Sequence, residues 1–300
     1  MSIKYNLGIY SYSSKINSLQ YPKLPDELKI ESISSCGILL ELLMGKVIIY
    51  DKFDKILLNQ KNNYTKLPYQ SGSRNSYREF VEVLGVDITD TEVREVCNRC
   101  MIKDRRNNFV YEHVLNEITQ YFVISQLSPC EGFVHLYRTL EFMSYSFPLI
   151  YASKTKKYQG TYEGLKKFFL GGAGTGELKF LSHFLKELFE DDSYTYNYEF
   201  EILFLTEDIE YLREDFKEAI KLDLFTFEND TLVIKFKNII DIFVEIRNRY
   251  FHMLLGQGKN NFLDIRYDKN ELFSALNPIF LNWLSVIFVK ILQHGLSLYD

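Results

Sequence analysis

Between Ile239 and Leu254 apolar side chains recur at the spacing of a helical turn, and this periodicity constrains the chain more than any other feature. At about 100° per residue, Ile239, Ile242, Phe243, Ile246, Tyr250, Met253 and Leu254 fill one side of a helix. Asp241, Glu245, Asn248 and His252 fall on a narrow stripe opposite, at i, i+4, i+7 and i+11. Arg247 does not join them. It projects on the apolar side, toward a neighbouring helix or a partner subunit. A guanidinium cannot shed its charge there, so it needs an anionic or hydrogen-bonding partner. A phosphate meets that need, and so does a carboxylate.

The same helix carries the pattern R-N-x-x-x-H in Arg247, Asn248 and His252. This pattern resembles the signature of the HEPN superfamily, small helical domains that often act as metal-independent ribonucleases. The resemblance covers the motif well and a second helix, from Glu131 to about Tyr151, loosely. It does not reach the first hundred residues. It implies that Arg247, Asn248 and His252 are catalytic, with Glu141 and Glu245 as supporting carboxylates. Glu141 either orients Arg247 across the helix pair or forms a plain salt bridge with it. The apolar stripes on both helices predict that they pack antiparallel.

These residue types suit RNA cleavage. The 2′-hydroxyl is the nucleophile, a base must act near it, an acid near the leaving 5′-oxygen, and positive charge near the phosphorane-like oxygens. Histidine can do either proton transfer near neutral pH. Arginine offers a fixed charge and a fork of donors for phosphate. Asparagine can hold the His or bind a phosphate oxygen. One His cannot easily be acid and base at once, and HEPN ribonucleases answer this by dimerising, so the resemblance implies a homodimer with one composite cleft. It also implies a toxin or abortive-infection effector acting on RNA, with an antitoxin or trigger protein as a further partner. The alternative is a non-catalytic HEPN-type module that binds RNA, nucleotide or a partner protein. No His/Cys/Asp cluster has metal-ligand spacing, so no metal or cofactor is expected.

A chain of 300 residues holds one or two domains. The expected fold is mainly α: a HEPN-like helical bundle over 89–300, with an acidic insertion at about 187–237, after a smaller mixed α+β sensing or regulatory region over 1–88. The net charge of -5 hides an uneven distribution. Acid is concentrated between Glu187 and Asp230. Basic clusters stand at Lys61 to Arg78, at Lys103, Arg105 and Arg106, and at Lys154, Lys156, Lys157, Lys166 and Lys167. Tyr64, Tyr69, Tyr77, Tyr158 and Tyr162 interleave them, as a surface for phosphates and unpaired bases would require.

Other motifs carry less. Cys97 and Cys100 form a CxxC without a second pair, on a helix from Asp90 to about Asp104, and read as buried thiols. His113, His135, His183 and His294 each sit singly and read as structural. The run Gly171 to Gly176 is followed by Glu177 rather than Lys-Ser/Thr, so it reads as a turn. The start MSIKYNLGIY has no apolar h-region, and the apolar run Pro278 to Val289 is too short for a membrane span. A cytoplasmic location away from membranes is therefore expected.

Along the chain, Lys4–Tyr12 and Leu28–Ser34 alternate like strands. Gly37–Gln60 fits either two strands turned at Gly45 or a helical pair, and Asn62–Ser76 reads as a loop. Helices are expected at about 108–126, from Glu131 to about Ser146 with Pro148 kinking or ending it, at 177–190, and over Phe273–His294 as one helix or a helix pair. Leu224–Phe227 and Leu232–Phe236 read as a hairpin.

Overall fold

The computed structural model describes residues 4–16, 33–68, 82–83, 107–154, 177–204, 208–251 and 268–297. They form eight α-helices and two small antiparallel sheets, so the chain is mainly α with a smaller α+β region at its N-terminal side.

The first sheet contains β1 (Tyr5–Leu7), β2 (Tyr10–Ser14), β3 (Val47–Tyr50) and β4 (Ile56–Asn59), paired in that order. Between β2 and β3 the chain forms α1 (Ser35–Leu43), capped where the Ser34 hydroxyl accepts from the Gly37 amide. The segment from Gly37 to Gln60 is thus neither of the two expected forms but one helix and two strands. Gly45 makes the reversal possible. Its φ is +76°, and a Cβ there would sit 2.6 Å from the Lys61 carbonyl carbon. Of the expected strand at Leu28–Ser34, residues 33 and 34 are not extended into a sheet, and the rest lies outside the described residues.

Every residue of α1 is buried, Glu41 included. A helix without a polar face must be covered on all sides. The sheet covers part of α1, and α2 (Asn108–Ile124) covers another. The Tyr12 hydroxyl meets Thr119 Oγ1 at 3.0 Å, and Asn282 Nδ2 donates to the carbonyls of Tyr64 and Lys66. The buried apolar residues of sheet and helices form one continuous cluster.

At its centre lies α3 (Pro129–Lys154), packed on α2, on α4 (Glu177–Leu188) and on the long α8 (Lys269–Ser297). Phe133, Leu136, Leu140 and Met143, its expected apolar stripe, are all buried. Pro148 does not end this helix, which continues to Lys154. Phe147, Ile150 and Tyr151 are buried around it, and their burial outweighs the missing amide. In α8, 78% of the most apolar stretch is buried inside the fold, and Trp283 Nε1 donates to the Phe236 carbonyl at 3.0 Å. That stretch is long and apolar enough to cross a membrane by composition, but its burial matches a core helix.

The acidic segment holds α5 (Ser193–Tyr196), β5 (Glu199–Leu203) and α6 (Ile209–Ala219). The expected hairpin is present as β6 (Phe225–Glu228) and β7 (Thr231–Lys235), turned at Asn229 with φ +52°. The sequence reading did not foresee β5, which pairs with β7 to complete a sheet ordered β5-β7-β6. A short turn, Phe236–Asn238, then delivers the chain into α7 (Ile239–Phe251).

The helix expected at Asp90–Asp104 with its CxxC, the Gly171–Gly176 run, and the basic clusters beyond Tyr69 and Lys154 lie outside the described residues. Tyr64 is inside them, and it packs on Phe122 at 6.0 Å rather than presenting an open ring.

Candidate functional site

The face of α7 that meets the core is the one its periodicity predicts. Ile239, Ile242, Phe243 and Ile246 are fully buried. Phe243 sits 5.1 Å from Phe133 of α3 and 4.1 Å from Phe280 of α8, ring centre to ring centre. Three large rings meeting there fix where α7 lies and how it is rotated.

One turn beyond Phe243, the same rotation aims Arg247 along α3. Its guanidinium carbon lies 5.0 Å over the Tyr137 ring, and Nη2 is 3.7 Å from Glu141 Oε1. Nη1 donates to Asn248 Oδ1 at 3.1 Å. Arg247 therefore does reach the neighbouring helix. The direction of packing differs from expectation. Phe133 and Tyr137 meet Phe243, while Tyr137 and Glu141 meet Arg247, so residue numbers rise together and α3 and α7 run parallel. Apolar stripes fix which faces meet but not the direction of travel, which the intervening chain decides.

The Arg247 side chain is 27% exposed and that of Glu141 43%. The pair lies at the mouth of the helix seam, where the guanidinium is held yet reachable. At this exposure the ion pair is worth about 0–1 kcal/mol. Glu141 orients the fork without binding it strongly, and an incoming phosphate can compete for it.

Asn248 is exposed on the outer stripe, and Arg247 reaches round to it. Glu245 lies elsewhere, beside Asp241 on the acidic face. The Asp241 carboxyl is raised by burial, with Glu245 and Asp223 adding to the rise while Lys221 and Lys186 oppose it. His252 lies outside the described residues. Arg247, Asn248 and Glu141 are thus brought together, whereas Glu245 faces the acidic side.

Tyr137 was not anticipated. Its signal was present in the sequence, four residues from both Phe133 and Glu141, but only the register of α3 against α7 makes it an arginine platform. A second constellation was also missed. His135 Nδ1 lies 2.8 Å from Glu117 Oε2, bridging α3 to α2, with both side chains largely buried. Burial alone would push the Glu117 carboxyl up. The hydrogen bond from His135 and the charges of His135, Arg138 and His113 pull it below its ordinary value. His113 and His135 are therefore not isolated imidazoles, although each looks single along the sequence. Among the described residues no three His, Cys, Asp or Glu side chains converge as metal ligands do.

Comparison with protein-family models, with curated proteins and with solved structures yields no match.

Proposed function

We propose that this chain is a metal-independent endoribonuclease of HEPN type. It cleaves RNA by attack of the 2′-hydroxyl on the adjacent phosphorus, as a cytoplasmic toxin or abortive-infection effector that works as a homodimer. The observation that carries this reading is the placement of Arg247. A fixed cation is held by Tyr137, Glu141 and Asn248 at the edge of a packed helix pair, oriented and still open to solvent.

In this reading Arg247 binds the nonbridging phosphate oxygens and stabilises the charge that develops there. His252 transfers the proton, taking it from the 2′-hydroxyl or giving it to the leaving 5′-oxygen. The second copy's histidine does the other transfer. Asn248 steadies the guanidinium. The products carry a 2′,3′-cyclic phosphate and a 5′-hydroxyl. DNA, lacking the 2′-hydroxyl, is left intact.

A second reading rests on the same ion pair. Glu141 already neutralises Arg247, as it would in a non-catalytic HEPN-type module that binds RNA, nucleotide or a partner protein. Incubating the purified protein with mixed RNA in EDTA separates the two, with His252→Ala as control. Cleavage by the parent alone supports the nuclease. RNA that survives both proteins rejects it.

A further inference from the structure

The exposed face of α3 continues past Arg247. Around the helix, at about 100° per residue, Glu141, Tyr145 and Arg138 fall within about 60° of one another. Arg138, Phe142, Tyr145 and Leu149 then follow at i, i+4, i+7 and i+11 along one stripe. Most of this stripe is exposed, with Phe142 half-buried. Tyr145 is 44% and Leu149 52% exposed, and Arg138 is exposed beside them.

From α2, Phe109 and His113 extend the same surface. Phe109 is 70% exposed. The rings form a connected shelf: Phe109 to Phe142 6.2 Å, His113 to Phe142 4.1 Å, Phe142 to Tyr145 5.6 Å. Near it lies Glu117, hydrogen-bonded by His135 and within the field of Arg138 and His113. Glu141, at the other edge, is matched by Arg247. The shelf therefore offers the exposed rings of Phe109 and Tyr145 and the exposed Arg138, with Glu141 at its edge paired to Arg247.

We propose that this shelf binds single-stranded RNA, with unpaired bases stacked on Phe109 and Tyr145, which the half-buried Phe142 and His113 support, and a phosphate held by Arg138, and that it leads the strand toward Arg247. The proposal rests on the ribonuclease reading and supplies its substrate form: unpaired RNA entering across α2 and α3. Aromatic faces accept any base, and arginine neutralises the backbone between them. A protein interface also favours aromatic side chains and arginine, so what favours RNA here is the exposed Arg138 beside the rings, placed to neutralise a phosphate between stacked bases.

The test is equilibrium binding of the full chain to a fluorescein-labelled oligouridylate with 2′-O-methyl riboses, which cannot be cleaved by 2′-hydroxyl attack. Phe109→Ala combined with Tyr145→Ala should weaken binding by roughly 5- to 100-fold with the melting temperature unchanged, because both rings face solvent. Arg138→Ala should weaken it as well and lower the slope of log Kd against log salt by about 1, whereas Arg138→Lys should keep the slope. Unchanged affinity in the ring variant overturns the shelf. So does a parent protein that fails to bind the oligonucleotide. If the ring variant instead changes the sedimentation coefficient and leaves RNA affinity intact, the shelf is a protein contact and the proposal fails. Cleavage of unmodified RNA, compared between the parent and Arg247→Ala, reads the nuclease assignment separately. Loss of cleavage in Arg247→Ala beside unchanged binding in the shelf variants sinks the shelf alone.

Discussion

Two helices of this chain each carry one ionisable residue on a face that is otherwise apolar, and they treat it in opposite ways. On α1, Glu41 is fully buried, and neither carboxyl oxygen makes a hydrogen bond of good geometry, Ser14 being the polar side chain beside it. On α7, Arg247 stands at the edge of the core with a ring, a carboxylate and an amide around it. The difference follows from what each group can do about its charge. A carboxylic acid can bind a proton and become neutral, and burial pushes Glu41 up to about 8 against a smaller opposing influence of Ser14. A guanidinium has no such escape, so the fold must give it partners and access. The first is an internal cost to stability. The second is an arrangement suited to meeting an anion.

The largest effect expected on this contrast comes from the seam that aims Arg247. Phe243→Ala removes the ring wedged between Phe133 and Phe280 and should cost about 3–5 kcal/mol in urea unfolding. A loss below about 1 kcal/mol would mean that the seam is not a packed core and that Arg247 is not held by it.

Glu41 comes next. Its folded pKa is raised from 4.5 to about 8, so the folded state keeps a proton that the unfolded chain releases. Stability is therefore fully retained below about 4.5 and falls as pH rises toward about 8. Glu41→Gln should flatten that slope, and Glu41→Leu should flatten it while adding on the order of 1–3 kcal/mol at neutral pH. Denaturant melts across this window decide it. A slope that survives both substitutions would show that Glu41 is not the source.

The Glu117–His135 pair should respond with the opposite sign. The Glu117 carboxyl is lowered on folding, so it contributes stability above the ordinary carboxylate range that is lost as pH falls through its folded value. Glu117→Gln should cost about 1–3 kcal/mol near neutral pH, and its deficit should shrink in acid. A deficit that is constant with pH would mean that the carboxylate's charge is irrelevant there.

The Arg247 side of this contrast was legible in the sequence; the burial of Glu41 was not, because it depends on what covers α1. The α7 periodicity identified Ile242, Phe243 and Ile246 as core and Arg247 as the residue facing a neighbour, because each depends only on helical geometry. The hairpin was readable from two short apolar runs around Glu228-Asn229-Asp230. By contrast β5 escaped notice. Glu199, Glu201 and Leu203 alternate with Phe200 and Ile202 in plain period two, but the surrounding acid hid the alternation, and the stretch read only as an acidic insertion. The direction of α3 against α7 was misread, since a stripe carries no arrow. The Glu117–His135 pair needed two helices brought together, which single-helix patterns do not contain.

The smallest expected stability change belongs to Arg247 itself, and it is the most informative. Its ion pair is solvent-screened, so Arg247→Ala should shift stability by less than about 1 kcal/mol. Cleavage of RNA in EDTA should fall in the same protein by about 10²–10³-fold. Activity and thermal unfolding measured on the same preparations of parent and Arg247→Ala therefore test the central claim most directly. The account predicts a melting temperature nearly unchanged and cleavage lost. Stability and cleavage lost together, or a parent protein that leaves RNA whole, would contradict it.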